Sequence, residues 1–212
     1  MASRVGHNRA MTDESLTELG MPVPDSALAR QARELISDVA APWLVNHSVR
    51  AYAWAVELAR HDELQFDPEI LYVSAALHDI GLVPAYDLGD GYEIDGAIAA
   101  ERLVREAGEP DHRARAVYDA IALHNDETMA PDAASEVVLL WDSTGVDVTG
   151  DRLTDVRGAI VPGLLAAYPR LDFKREFAAQ FADQASRKPT SKAAVMAREG
   201  MLEAIAQAPF DS

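Results

Sequence analysis

Helix start and stop signals follow one another along the chain, and no alternating strand pattern or Asn-Gly hairpin separates them. Ser26 is a helix cap after Pro24, and Asp67 followed by Pro68 is a second strong start. Gly81 is a natural stop for the helix that begins at Asp67. The signals predict a helix of about fifteen residues that opens at 24–26, and others over 44–61, 67–80, 94–107, 111–123, 134–140, 154–167, 172–185 and 191–206. The chain is therefore predicted to be all-α.

The chain length of 212 residues is enough for one domain with its own core. Residues 1–24 are polar without a clear period, which predicts a loose N-terminal arm. Residues 25–212 are predicted to form the single domain. Apolar runs such as residues 137–141 are far shorter than the roughly 20 residues needed to cross a bilayer. No membrane association is expected, and without a secretory signal in residues 1–11 the expected compartment is the cytoplasm.

The acidic charge of the chain is concentrated in its first 150 residues. They contain 27 acidic and 10 basic residues and no lysine, whereas residues 151–212 contain 8 acidic and 9 basic residues. Binding to a phosphate backbone needs a basic stripe, so nucleic acid is not an expected partner. The chain has no cysteine, which excludes disulfides, thiol nucleophiles and thiolate metal sites.

One histidine lies on an apolar helical stripe. His47, Ala51, Trp54 and Leu58 are spaced by 4, 3 and 4 residues, so they share one face of the second predicted helix. This face is expected to point into the core. A single interior histidine is more often a hydrogen-bonded core residue than a ligand, and the position of His47 leaves both open.

A His-Asp pair ends the third predicted helix. Asp79 at a helix C-terminus meets the negative end of the helix dipole, which costs on the order of 0.3–1 kcal/mol unless a cation compensates. The chain stays apolar after it through Ile80-Gly81-Leu82, which argues against a simple solvated helix end. The pair therefore favours a buried cation site.

The order of these residues resembles the HD-domain superfamily of metal-dependent hydrolases. The motifs that carry the resemblance are Asn46-His47-Ser48, Leu77-His78-Asp79-Ile80-Gly81 and a late aspartate. The cyanamide hydratase-like branch is similar in three further motifs: Tyr92-Glu93-Ile94-Asp95-Gly96-Ala97, Asp119-Ala120-Ile121-Ala122-Leu123-His124 and Asp147-Val148-Thr149-Gly150. The resemblance covers about residues 45–150 and implies an HD-domain helical bundle, with helices of residues 151–212 packed on this metal-site core.

The resemblance implies that His47, His78, Asp79 and the late aspartate bind a metal ion. Asp142 and Asp147 both begin an Asp-x-x-Gly sequence. We favour Asp147, because its surroundings resemble the branch motif, whereas Asp142 follows an apolar run and fits a helix end. Two imidazoles and two carboxylates without sulfur suit zinc first, with iron(II) or manganese as alternatives.

The resemblance also implies the catalytic residues and the number of metal ions. Two-metal members of the superfamily have a histidine where this chain has Asp95, so one divalent ion is expected. The residues expected to act in catalysis are Asp79, Glu93, Asp95 and His124. The alternative for Glu93 and Asp95 is that they cap the start of the helix to which they belong. The residues expected to bind substrate are Arg50, Trp54 and Tyr92.

The function implied is an enzyme of the hydro-lyase type, a hydratase or hydrolase that adds metal-activated water to a small neutral nitrile- or cyanamide-like molecule. One alternative is an HD-type phosphohydrolase of a nucleotide or phosphate ester, and another is a catalytically silent regulatory domain. A phosphoryl group needs Arg or Lys clamps, and only Arg50, three residues after His47, is placed to supply one, which favours the hydratase. Phe173, Phe177 and Phe181 are predicted to pack on the core or, alternatively, to form a homo-oligomer surface.

Overall fold

The computed structural model describes residues 14–126 and 128–211, and these residues form helices and connecting turns without a strand. The α-helices, in chain order from α1 to α11, are Glu14–Glu18, Ala27–Val39, Pro42–His61, Pro68–Leu77, Tyr92–Glu106, Asp111–Leu123, Ser135–Val148, Ile160–Ala167, Phe173–Arg187, Lys192–Arg198 and Met201–Gln207. Short 3-10 turns lie at Ile80–Leu82, Pro84–Tyr86 and Leu153–Asp155. The prediction of an all-α chain is confirmed. No helix of the described residues is long and apolar enough to cross a membrane.

The predicted helix caps are present. Ser26 Oγ accepts a hydrogen bond from the Ala29 amide at 3.0 Å, and Asp67 Oδ1 accepts from the Glu69 and Ile70 amides. Each side chain satisfies amides that the first turn of a helix leaves without backbone partners. These caps fix where α2 and α4 begin. The start of α4 in turn sets the position of His78 and Asp79, which directly follow the helix.

Helix α3 is the central helix of the bundle. It packs against α4, α7 and α9, and its stripe from His47 to Leu58 is completely buried, as the spacing predicts. Burial of α3 on several sides removes a large apolar area from water, and this stabilises the fold by roughly 25 cal/mol per Å². The stripe therefore holds His47 in a fixed position at the centre of the molecule.

Four predicted helices have clearly different bounds in the structure, and the first of them, α4, ends at Leu77 rather than at residue 80. Helix α7 continues past residue 140 to Val148, because Gly145 stays helical inside the bundle. The helix predicted over 154–167 begins only at Ile160. The helix predicted over 191–206 is divided at Gly200, whose φ of +98° no helix interior allows.

Residues 14–24 do not match the predicted loose arm. They include α1, and Leu16 and Met21 are buried in the main core. Residues 1–13 lie outside the described part of the chain, as does His7. The Phe173, Phe177 and Phe181 stripe is buried against Trp43 and Tyr92 inside the chain. The stripe therefore packs on the core and is not available as a homo-oligomer surface.

Candidate metal centre

Three histidines and one aspartate meet where three helices end or cross. His47 comes from the second turn of α3, His78 and Asp79 follow α4, and His124 follows α6. All four side chains are almost inaccessible to solvent. His47, His78 and Asp79 each offer a ligand atom, and these atoms lie within 4.8 Å of one another.

Hydrogen bonds to the Nδ1 atoms fix the histidine tautomers. His78 Nδ1 lies 2.9 Å from the Ala75 carbonyl oxygen, and His124 Nδ1 lies 2.5 Å from that of Ile121. His47 Nδ1 lies 2.8 Å from Asp147 Oδ2. Carbonyl and carboxylate oxygens accept, so each Nδ1 carries the hydrogen, and a ring in its neutral form presents the Nε2 lone pair.

The Nε2 atoms converge on the Asp79 carboxylate. His47 Nε2 is 3.1 Å from His78 Nε2, and these atoms are 3.4 and 3.2 Å from Asp79 Oδ2. His124 Nε2 is 3.5 Å from Asp79 Oδ1. Facing lone pairs repel unless a cation lies between them, and neither buried Asp79 oxygen has a hydrogen-bond partner. The cluster therefore fits a divalent metal ion, held by His47, His78 and Asp79.

Two glycines let α5 approach this cluster. A Cβ at Gly81 would lie 2.1 Å from the Tyr92 carbonyl oxygen, and one at Gly96 would lie 3.0 Å from the His78 carbonyl oxygen. Any side chain at Gly81 would push α5 away from the His78-Asp79 turn. The glycines of the two motifs therefore set the position of the metal ligands through backbone contact.

Asp147 lies behind His47 and outside the cluster. Its Oδ2 contacts His47 Nδ1, on the opposite edge of the ring from Nε2. Both oxygens are occupied, because Arg50 donates to Oδ1 at 2.8 Å and to Oδ2 at 2.7 Å, and Trp54 Nε1 donates to Oδ1 at 2.9 Å. The prediction that Asp147 is a metal ligand is not supported by this arrangement, in which Asp147 orients a ligand instead.

The predicted substrate contacts of Arg50 and Trp54 are corrected for the same reason. Both side chains are completely buried and bonded to Asp147, and neither lines the cavity described below. Arg170 completes the group: its Nη1 lies 3.3 Å from Asp147 Oδ1, and its Nη2 donates to the Asp147 carbonyl oxygen at 3.1 Å. No sequence signal singled out Arg170, which lies 23 residues from Asp147.

Electrostatics stabilise both carboxylates in their charged form. Burial alone would raise the pKa of Asp79, but the rings of His78, His124 and His47 in their protonated forms outweigh it and hold the pKa well below its usual value. Burial likewise opposes ionisation of Asp147, and Arg50 with His47 holds its pKa well below the usual range. The site therefore keeps two negative charges in an apolar interior.

Glu93 and Asp95 are buried but lie outside the cavity. Asp95 Oδ2 accepts from the Leu88 amide at 3.0 Å and from Lys188 Nζ at 3.2 Å. Both residues lie in the first turn of α5, where acidic side chains favour the helix dipole. The structure thus leaves these two predicted catalytic residues outside the cavity. They lie in the first turn of α5, but neither side chain caps the helix by a hydrogen bond.

A cavity of about 680 Å³ opens onto the cluster. His124 and Tyr92 line it, as predicted for residues around the substrate, and the Tyr92 hydroxyl accepts a hydrogen bond from Asn125. Asp142 also lines the cavity, and its Oδ2 lies 2.5 Å from Arg152 Nη1. It is not part of the cluster of His47, His78 and Asp79. Its helix-end interpretation is wrong, because α7 continues to Val148.

The HD domain family model matches residues 44–153 of the chain. The protein therefore belongs to the HD domain family, whose members bind a divalent metal. Two relatives are cyanamide hydratase DDI2 and cyanamide hydratase DDI3 of Saccharomyces cerevisiae. Each is 30% identical over 175 residues, which cover 80% of this chain and 77% of the relative. The family and these relatives support a metal-dependent hydrolase, in agreement with the buried cluster.

Proposed function

We propose that the protein is a mononuclear metal-dependent hydratase that adds water to the C≡N group of a small, neutral nitrile- or cyanamide-like substrate. The observation that carries the proposal is the set of Nε2 lone pairs from His47 and His78 facing an unpartnered Asp79 carboxylate at one end of a cavity. The names of the two yeast hydratases support this choice within the HD family.

A divalent ion held by His47, His78 and Asp79 would supply Lewis acidity for polarising the electrophile and for making water a stronger nucleophile. The chain itself positions the substrate. His124 Nε2 faces the cavity beside Asp79 and is placed to exchange a proton with the substrate nitrogen. Tyr92 and Asn125 form a polar pair next to the His124 ring, where they can orient a small polar head.

The environment of Asp95 supports one ion per chain. Lys188 Nζ lies 3.2 Å from Asp95 and 2.9 Å from Asp87, so the ammonium neutralises the carboxylate that replaces a histidine of two-metal relatives. Asp95 Oδ2 is already held by Lys188 Nζ and by the Leu88 amide, and a carboxylate neutralised in this way attracts a second cation less strongly than an unpaired one. Zinc is our first choice for the single ion, with iron(II) or manganese as alternatives.

The charge around the cavity disfavours a phosphate ester as substrate. Arg152 is the basic side chain that lines the cavity among the described residues, apart from the histidines. All its nitrogens are engaged, with Asp142, Asp62 and Asp155. Phosphoryl transfer needs free Arg or Lys donors for the developing charge. A small neutral molecule therefore fits better, and we propose no nucleic-acid or membrane partner.

The test is hydration of cyanamide to urea by protein loaded in turn with zinc, iron(II) or manganese, with metal content measured by mass spectrometry. We expect urea formation with about one ion per chain and its loss after chelation. His78→Ala is the matched negative variant. Metal-loaded protein that forms no urea but cleaves a phosphate ester would contradict the proposal. Protein that binds no ion would favour the regulatory alternative.

A further inference from the structure

The cavity is several times larger than cyanamide requires. Cyanamide has three non-hydrogen atoms, and a space on the order of 100 Å³ would hold it, since each water of the liquid takes about 30 Å³. The cavity measures about 680 Å³, within the range of roughly 300–1,000 Å³ that holds drug-sized ligands. The space beyond the cluster therefore needs its own explanation.

One wall of the cavity is apolar and comes from the C-terminal helices. Phe177 and Phe181 extend from α9, Met196 from α10, and Met201 and Ala204 from α11. The two phenylalanine rings lie 6.0 Å apart between their centroids and are almost fully buried. Aromatic and methionine side chains offer flat, adaptable apolar contacts. This wall can cover an apolar group but offers no polar partner for a small molecule.

Charge at the cavity is unfavourable for anions. The acidic side chains that line it are Asp79, Asp126, Asp142, Asp151 and Glu199. Arg152 is neutralised by its three aspartate partners, and Lys192 is paired with Asp126. An apolar substituent without negative charge therefore matches both the apolar wall and the negative electrostatic potential of the acidic lining.

We infer that the preferred substrate carries an aryl or alkyl substituent of roughly six to ten non-hydrogen atoms on its C≡N head, as in an N-substituted cyanamide. This inference rests on the proposed hydratase function. The head lies at the cluster and the substituent lies against Phe177, Phe181, Met196 and Met201. Water adds across the C≡N bond: its oxygen bonds to carbon, and its two hydrogens end on nitrogen, which gives an N-substituted urea with no other co-reactant.

The first experiment compares kcat/KM for cyanamide, N-phenylcyanamide and N-(4-carboxyphenyl)cyanamide on the metal-loaded protein. We expect kcat/KM for N-phenylcyanamide to exceed that for cyanamide by at least about 10-fold. A factor of 10 corresponds to about 1.4 kcal/mol, which burial of a phenyl ring supplies. The carboxylate derivative is expected to lose this gain. Cyanamide turnover without turnover of N-phenylcyanamide would overturn the inference and leave the hydratase function standing.

A variant pair on α11 locates the substituent. Ala204 lines the cavity, whereas Ala206, two residues further along the same helix, is exposed. Ala204→Trp fills the apolar end, so the ratio of kcat/KM for N-phenylcyanamide to that for cyanamide should fall at least about 10-fold. Ala206→Trp should leave the ratio unchanged. An unchanged ratio in correctly folded Ala204→Trp would overturn the placement.

Binding to metal-free protein separates the two proposals. N-phenylurea, the product of the expected reaction, is titrated calorimetrically into chelator-treated wild type and both variants. We expect binding that Ala204→Trp weakens and Ala206→Trp does not. Absence of binding to the wild type would overturn the inference about the cavity. Binding without hydration of either cyanamide would instead overturn the hydratase function, and with it the reaction assigned to the substituted substrate.

Discussion

Asp147 Oδ2 lies 2.8 Å from His47 Nδ1, while Nε2 of the same ring faces His78. The aspartate therefore fixes the tautomer and direction of a candidate metal ligand without joining the ligand set. Carboxylates that support a metal-bound histidine in this way raise the basicity of the ring. Arg50, Arg170 and Trp54 hold Asp147 in this position.

Replacing Asp147 is expected to weaken metal binding without abolishing it. Asp147→Asn keeps the size of the side chain but removes the charge that supports His47, so metal affinity should fall by about 10–100-fold. The measurement is competition with a chromophoric chelator. Asp142→Asn, which alters the Arg152 pair at the cavity wall, should keep the wild-type affinity. Metal loss in Asp142→Asn alone would show that Asp142 has the role assigned to Asp147.

Removing a residue of the cluster itself should remove the ion. His78→Ala and Asp79→Ala each delete a group whose ligand atom lies within the cluster, so metal content and activity should both be lost. His61→Ala and His112→Ala change exposed side chains and serve as controls with wild-type content. Two ions per wild-type chain, measured by elemental analysis, would contradict the single-ion proposal.

His124 is expected to act in turnover more than in metal binding. His124→Gln keeps a polar side chain at the cavity but removes the proton-exchanging ring, so turnover should fall by about 10²–10⁴-fold with the ion retained. Urea release and metal content are measured on the same sample. Normal turnover would remove His124 from the mechanism, and loss of the ion would make it a ligand, as its 3.5 Å distance to Asp79 allows.

The buried Glu57 is expected to stabilise the fold only in its charged form. Burial opposes its ionisation, but Arg157 at 2.6 Å and Arg60 outweigh this and lower the pKa of Glu57 below its ordinary value. A lowered pKa contributes stability above the unfolded value of about 4.3, and this contribution is lost as the pH falls through the folded value. Glu57→Gln should cost about 1–3 kcal/mol at pH 7, since it removes the negative charge and replaces one of the two acceptor oxygens with an NH2 group that faces the arginines.

The difference between wild type and Glu57→Gln in the free energy of unfolding should shrink as the pH falls below about 4. Urea unfolding at several pH values measures it. Glu106→Gln, an exposed change on α5, is the control with little effect at any pH. A difference that stays constant down to pH 3 would contradict the role given to the Glu57 charge.

Local signals predicted most helices, and the resemblance to the HD domain family implied the cluster, but neither identified the side-chain partners. Ser26 and Asp67 act through amides two or three residues away, so the sequence contains the whole interaction. Helix α7 continues through Gly145 beyond its predicted end at residue 140, because packing of α7 against α3 outweighs the low helix propensity of glycine. The Asp147 to Arg170 contact and the Asp95 to Lys188 pair join distant segments, and no local pattern encodes which charges meet.

The cavity wall and the metal cluster come from different parts of the chain. The cluster lies within residues 44–153, where the HD domain model matches, and the apolar wall comes from α9 to α11 beyond them. Apart from Phe173 and Phe177, whose rings pack against His47, residues of those three helices can therefore be exchanged to alter which molecule the proposed site accepts while the cluster stays intact. Chemistry and selectivity in this protein can diverge separately, so relatives that share the His-Asp pair need not share a substrate.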